Sequence, residues 1–213
     1  MKIFILALML NSTVVCFSQS KKYSFVFLHK KPTAEKLPKD QLDKIMEGHL
    51  ANIERLAKEG KLLAAGPFDG GGGVFILNTT STDEAKNWLS TDPGVQANRW
   101  NVEILPYTPR IGAVCVAKEP YEMVTYEFIR FVEKGDTTKN ATALLNQHHH
   151  YMQSQQKNEN IVTEGVFDGA GNILILKGET DDDFFTQDPA IQQGIISFDR
   201  KKLWIAKGSF CEN

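Results

Sequence analysis

The sequence lacks a basic excess. Lysine and arginine total 24 against 26 acidic residues, a formal net charge of −2, and neither half is rich in positive charge. A protein that tracks phosphate backbones needs clustered cations, so nucleic acid is excluded as a partner. Long apolar runs are missing too. The run from Ile3 to Leu10 falls far short of the ~20 residues that a membrane span needs. No basic amphipathic helix suggests adsorption to a membrane surface. Cysteine is scarce, with 3 in 213 residues. Only Cys115 and Cys211 lie beyond the N-terminal segment, and two readings of them stay open. An exported chain could oxidise the pair, or Cys115 is a small buried residue in AVCVA and Cys211 belongs to a frayed tail. No cofactor signature is present. Gly70 to Gly73 is followed by no helix at the spacing of a phosphate-binding loop. His148-His149-His150 is not read as a metal site, because adjacent helical residues point about 100° apart and cannot converge on one ion.

The chain opens MKIFILALMLNSTVVCFSQS, with Lys2 before the apolar run and no further charge until Lys21. Small residues follow at Ser18 and Ser20. This pattern predicts a secretory signal peptide over residues 1–18 and a secreted or periplasmic protein, free of the membrane once the leader is removed. A lipoprotein reading through Cys16 is disfavoured by the bulky Val15.

The remaining chain repeats itself. HLANIERLAKEGKLLAAGPFDG, from residue 49, shares its punctuation with HHHYMQSQQKNENIVTEGVFDG, from residue 148. His49 matches His148, Gly66 matches Gly165, and Phe68-Asp69-Gly70 matches Phe167-Asp168-Gly169. One register over that length predicts a tandem duplication. YSFVFL (23–28) and YEFIRF (126–131) predict opening strands. Leu42, Met46, His49, Ile53 and Leu56 follow at helical steps and predict a buried stripe, ended by Gly60; Leu145, His148 and Met152 repeat it. Hairpins come next, LLAAGPF with VFILNT around DGGGG, and IVTEGVF with ILILK around DGAGN. Ser81 with Glu84 matches a capping box, repeated weakly by Thr180 and Asp183. Closing strands are predicted at 100–107 and 202–208. Each half is therefore β-α-β-β-α-β, the ferredoxin-like arrangement.

A four-stranded sheet with helices on one face must bury its other face. Two copies in one chain predict an α+β fold: two ferredoxin-like repeats whose antiparallel sheets pack face to face as an intrachain pseudo-dimer, an α+β barrel. The predicted divisions are 22–108 for the first repeat, 109–120 for a linker and 121–208 for a divergent second repeat.

A helical histidine, then EGKLLAAGPF, then S-x-x-E-A opening a helix, then DPGV before a last strand, resembles the YCII-related (YciI-like) family of the dimeric α+β barrel group. The first half matches throughout. The second matches loosely, with GVF in place of GPF and DDDFF in a shortened helix. The resemblance implies a His–Asp pair: His49 with Asp92, and in the second copy His148 with Asp188. A carboxylate bonded to one ring nitrogen fixes the tautomer, so the other nitrogen faces a substrate as a proton-transferring group near neutral pH. The family often has an arginine one turn before its histidine. Met46 and Leu145 stand there, which removes that means of recognising an anion.

Each candidate has a plainer reading. A histidine on an apolar stripe can be a satisfied core residue, and Asp before Pro is an ordinary helix start. For Asp92 the two roles are compatible, since one oxygen can cap while the other orients the ring. Asp69 and Asp168 are first of all turn residues, and, with Gly66 and Pro67, candidates for touching a substrate beside a pocket.

Two functions follow. One is a small-molecule lyase or isomerase, with His49 moving a proton and Asp92 orienting it. The other is a non-catalytic ligand-binding module with a degenerate second repeat. A purely structural role for the histidines is the third option. Association into a homo-oligomer is left open.

Overall fold

The computed structural model describes residues 21–134 and 139–212. The expected signal peptide lies outside them. The order is β1 (Tyr23–Lys30), α1 (Lys39–Lys58), β2 (Leu62–Pro67), β3 (Gly73–Leu77), α2 (Thr82–Leu89), α3 (Pro93–Gln96) and β4 (Trp100–Ile111). The same order returns as β5 (Met123–Glu133), α4 (Lys139–Ser154), β6 (Ile161–Phe167), β7 (Asn172–Leu176), α5 (Asp182–Thr186), α6 (Pro189–Gln192) and β8 (Ile196–Ala206).

Strand β1 shows why its sequence is an unbroken apolar run. Phe25 and Phe27 point into a central core, while Val26 and Leu28 point the other way, under the helices of their own half. A strand covered on both faces cannot alternate with polar residues. All ladders are antiparallel, in the order β2-β3-β1-β4-β6-β7-β5-β8. The halves join through β4 and β6, where Tyr107 lies opposite Phe167. At the far edges Phe68 bridges Leu203, and the Asp69 N–H donates to the Lys202 carbonyl at 3.0 Å. On the first seam the Asp168 N–H reaches the Pro106 carbonyl at 3.3 Å. The eight strands thus close into the α+β barrel expected from the sequence, with two four-stranded layers face to face. Phe25, Phe27, Phe128, Phe167 and Leu203 fill its interior.

The repeated glycine follows from this closure. A Cβ on Gly66 would lie 2.5 Å from the Trp204 carbonyl oxygen, and one on Gly165 would lie 2.4 Å from the Tyr107 ring. Each is the point where a strand of the other layer crosses closest.

Three details differ from the expectations. β4 continues through Pro109 to Ile111 and β5 begins at Met123, so the join lies at 112–122 rather than 109–120. The ladder to β6 shifts register between Pro109 and Ile111, a place where a residue without an N–H is tolerated. β8 begins at Ile196 rather than at residue 202; its polar first part pairs with the end of β5, Ile196 opposite Glu133. The Ser81 hydroxyl accepts from the Glu84 N–H at 3.2 Å, but the Glu84 carboxylate bonds Thr79 instead of completing a capping box.

Of the two readings of the cysteines, the structure takes the first. Cys115 and Cys211 form a disulfide with Cα atoms 5.2 Å apart, tying the segment after β4 to the C-terminal segment.

Candidate functional site

Helix α1 buries His49, Asn52 and Leu56. Leu42, Met46 and Ile53, expected on the same buried stripe, are only half-buried and line a cavity instead. The strands beneath present Ala65, Gly66 and Gly73, residues too small to fill the space under the helix. The result is a cavity of about 580 Å³ with mostly apolar walls.

His49 stands in its wall, 7% exposed. The ring packs near-parallel to Phe75, with centroids 5.8 Å apart, and tilts against Trp100 at 4.7 Å. Its Nδ1 lies 2.8 Å from Asp92 Oδ2. Asp92 is fully buried and divides its oxygens between two tasks. Oδ1 accepts from the N–H groups of Gly94 at 2.8 Å and Val95 at 3.2 Å, capping α3. Oδ2 accepts from His49 and from Asn52 Nδ2 at 3.1 Å. Burial pushes the Asp92 carboxyl up, but the bonds from His49, the Val95 amide and Asn52 outweigh it, and the pKa falls below the ordinary carboxylate value. An ionised carboxylate can only accept, so the proton of the shared bond sits on His49 Nδ1. Nε2 is then the nitrogen left for other work, and among the described residues it has no hydrogen-bond partner.

Asn52 is a site residue that the sequence reading missed, although it stands three residues after His49 on the same helical face. Its Oδ1 accepts from Arg55 at 2.7 Å and from Thr91 at 3.0 Å, which fixes the amide so that its nitrogen points at Asp92.

The second half assembles the corresponding pair and then seals it. His148 Nδ1 lies 2.5 Å from Asp188 Oδ2, and Asp188 Oδ1 caps α6 through the Ala190 N–H at 2.9 Å. The other ring nitrogen, Nε2, is 3.0 Å from Asn172 Oδ1. Asn172 in turn donates to Glu164 at 3.0 Å, and Glu164 is paired with Arg110. Asn172 and Glu164 occupy the positions of Gly73 and Ala65. Side chains therefore fill the space that is open in the first half, and His148 is 1% exposed. His148 and Asp188, expected as a second catalytic pair, are both buried and lie outside the first-half cavity. His149 turns away from them and accepts from Arg110 at 2.9 Å; burial first, then the guanidinium, hold its pKa down.

Of the four residues expected to touch a substrate, Gly66 and Pro67 line the first-half cavity. Asp69 and Asp168 do not. Both are exposed on hairpin turns, and the Asp168 carboxylate meets Lys22 at 3.4 Å. Three cations do line the cavity, all unforeseen. Lys30 donates to the Gly70 carbonyl at 3.2 Å, Lys31 to Asn98 at 2.8 Å and Arg99 to the Glu35 carbonyl at 2.6 Å. Among the described residues no acidic side chain lines the cavity or pairs with these three.

The family model for the YCII-related domain matches residues 23–108. The match covers the first half. That span holds His49, Asn52, Asp92 and the whole cavity. A search of curated proteins finds no match for the chain. Among solved structures, a mutant of chlorite dismutase from Candidatus Nitrospira defluvii aligns at a TM-score of 0.52 and 14% identity, covering 87% of this chain and 92% of that one. A candidate monooxygenase from Lactobacillus acidophilus NCFM aligns at a TM-score of 0.44 and 11% identity, covering 88% and 94%. The dismutase likeness supports the barrel architecture around the YCII-related half and says nothing of its chemistry.

Proposed function

We propose that the YCII-related half is a small-molecule enzyme of the lyase or isomerase kind, in which His49 transfers a proton and Asp92 orients it. One observation carries this reading. His49 offers a free Nε2 at the wall of an open cavity, whereas the matching His148 has both ring nitrogens bonded and is 1% exposed. Nε2 would take a proton from a carbon or hydroxyl activated by a neighbouring carbonyl. The resulting imidazolium is stabilised by Asp92 and returns the proton elsewhere on the substrate, or to a departing group. A positioned base of this kind contributes on the order of 10²–10⁴-fold.

The sealed second half fits a tandem copy that kept the barrel and lost its pocket. The Cys115–Cys211 disulfide supports an oxidising compartment, and so the secreted or periplasmic location read from the N-terminal segment. The mostly apolar walls favour one rival, a binding module that holds a ligand without turning it over.

The test is a panel of lactones and hydroxylated aromatics, scored for thermal shift and for conversion by mass spectrometry, with wild type beside His49→Ala. Conversion by wild type that His49→Ala loses supports the enzyme. Shifts without conversion favour the binding module. Identical shifts in both proteins, with no conversion, remove the case for His49.

A further inference from the structure

The chemical class of ligand can be read from how charge is placed around the cavity. Its walls are hydrocarbon: Leu42, Met46 and Ile53 from α1, Val74 and Phe75 from β3, and Trp100 from β4. Its charged lining is of one sign. Lys30, Lys31 and Arg99 all reach it, from the end of β1 and the start of β4, and no aspartate or glutamate does among the described residues. Each of the three is held only by a neutral oxygen: the Gly70 carbonyl, the Asn98 side chain and the Glu35 carbonyl. This is unusual for the molecule. Its other partly buried arginines, Arg110, Arg130 and Arg200, all face carboxylates. Three cations without a counter-charge beside a low-dielectric chamber favour an anion there. The arginine missing at the Met46 position therefore does not leave the site without cations; they come from other strands.

We propose that the cavity takes a small monoanion, a carboxylate or a group of like charge, carried on an apolar ring-sized body. Lys30, Lys31 and Arg99 hold the charged group, and the body packs between α1 and the aromatic pair Phe75 and Trp100. The second half offers a contrast. Where Arg99 stands in the first copy, Ile195 stands in the second, and Glu133 takes the place of Lys30. Lys134 keeps the place of Lys31, so two of the three cations are lost in the half whose space is filled. This inference rests on the reading of the cavity as a small-molecule site, and it adds the sign of the ligand.

The experiment titrates the full chain with naphthalene-2-carboxylate and with naphthalene-2-carboxamide, which share a body and differ in charge, following binding by calorimetry at low and at physiological salt. Three variants accompany wild type: the triple Lys30→Gln/Lys31→Gln/Arg99→Gln, the single Arg99→Gln, and Ala65→Phe, which fills the cavity from its floor. Wild type is expected to bind the carboxylate at least about tenfold more tightly than the amide, and less so as salt rises. In the triple variant that preference should vanish while amide binding stays; the single variant, milder to the fold, should show part of the loss. Ala65→Phe should lose both ligands. Equal affinities in wild type, or a preference that survives in the triple variant, overturn the inference and leave the pocket reading intact. Binding that Ala65→Phe does not alter, or no binding of either compound, overturns both.

Discussion

Asn172 Oδ1 lies 3.0 Å from His148 Nε2, and Asn172 stands at the sequence position where the first half has Gly73. That exchange, together with Glu164 in the place of Ala65, separates a histidine at a cavity wall from one bonded through both ring nitrogens. The imidazole–carboxylate pair is built in each half by a corresponding helix, α1 or α4, and a corresponding Asp-Pro corner. What differs is the floor: Ala65 and Gly73 in one copy, Glu164 and Asn172 in the other.

The buried network in the second half should therefore act on stability and not on ligand binding. Glu164 is 1% exposed and faces both Arg110 and Asn172. Removing one partner of a buried ion pair leaves the other charge uncompensated. Arg110 keeps some solvent access, so Glu164→Ala is expected to cost about 2–3 kcal/mol in urea unfolding, with unchanged binding in the first-half cavity.

Asp92 carries two roles that different substitutions can separate. Asp92→Asn keeps a capping oxygen for α3 but cannot hold the His49 tautomer as an anion does. Near-wild-type stability with turnover lower by roughly 10²–10⁴-fold is expected. Asp92→Ala should lose the cap as well, at a further cost of about 1 kcal/mol. Thermal unfolding beside steady-state rates separates the two effects.

The seam glycines test the closure of the barrel. A methyl at Gly66 meets backbone, the Trp204 carbonyl at 2.5 Å, so the strand must move. Gly66→Ala is expected to destabilise by about 1–3 kcal/mol, as overpacking does. Gly70→Ala, with open space but a φ of +83°, should cost less, about 1 kcal/mol, through backbone strain alone. Chemical denaturation of both variants checks the order.

An acid-sensitive tie links the halves. Arg130 on β5 forks onto Glu103 on β4 at 2.7 and 2.8 Å, and His29 lies 2.7 Å from the same carboxylate. The guanidinium bonds, working against burial and helped by His29, lower the Glu103 pKa to about 2. A carboxyl whose pKa falls on folding stabilises fully above its unfolded value, near 4.5, and loses that stabilisation as pH drops through the folded value near 2. Glu103 is a third exposed, and solvent screening leaves roughly 1 kcal/mol. Unfolding midpoints measured from pH 6 down to pH 2 should fall more steeply for wild type than for Glu103→Gln.

Much of this was legible in the sequence, for definite reasons. β1 and β3 are buried on both faces and had to be apolar throughout. The Asp-Pro corners announced helix starts, and the shared register of His49 and His148 announced that the β-α-β-β-α-β order returns. The resemblance of the first half to the YCII-related family named the His–Asp pair before any distance was known. What stayed hidden is what pattern does not encode. The helical stripe was read as wholly core, but a stripe looks the same over a filled floor and an empty one. The difference lay in Ala65 and Gly73, residues notable only for what they lack. Asn52 gave a helical-spacing signal too weak to tell it from an asparagine that faces water. The rim cations come from distant strands, so no local motif gathers them. Asp69 and Asp168 keep to the turn reading: their repetition reflects hairpin turns beside the two barrel seams.

The most direct measurement of the central claim is a long-range ¹H–¹⁵N correlation of the histidine rings at neutral pH, without and with naphthalene-2-carboxylate. The account expects His49 to carry its proton on Nδ1 and its Nε2 resonance to move when the cavity fills, while the His148 ring stays unchanged. A His49 ring protonated on Nε2 instead, or a His49 signal that stays still while that of His148 moves, would contradict it.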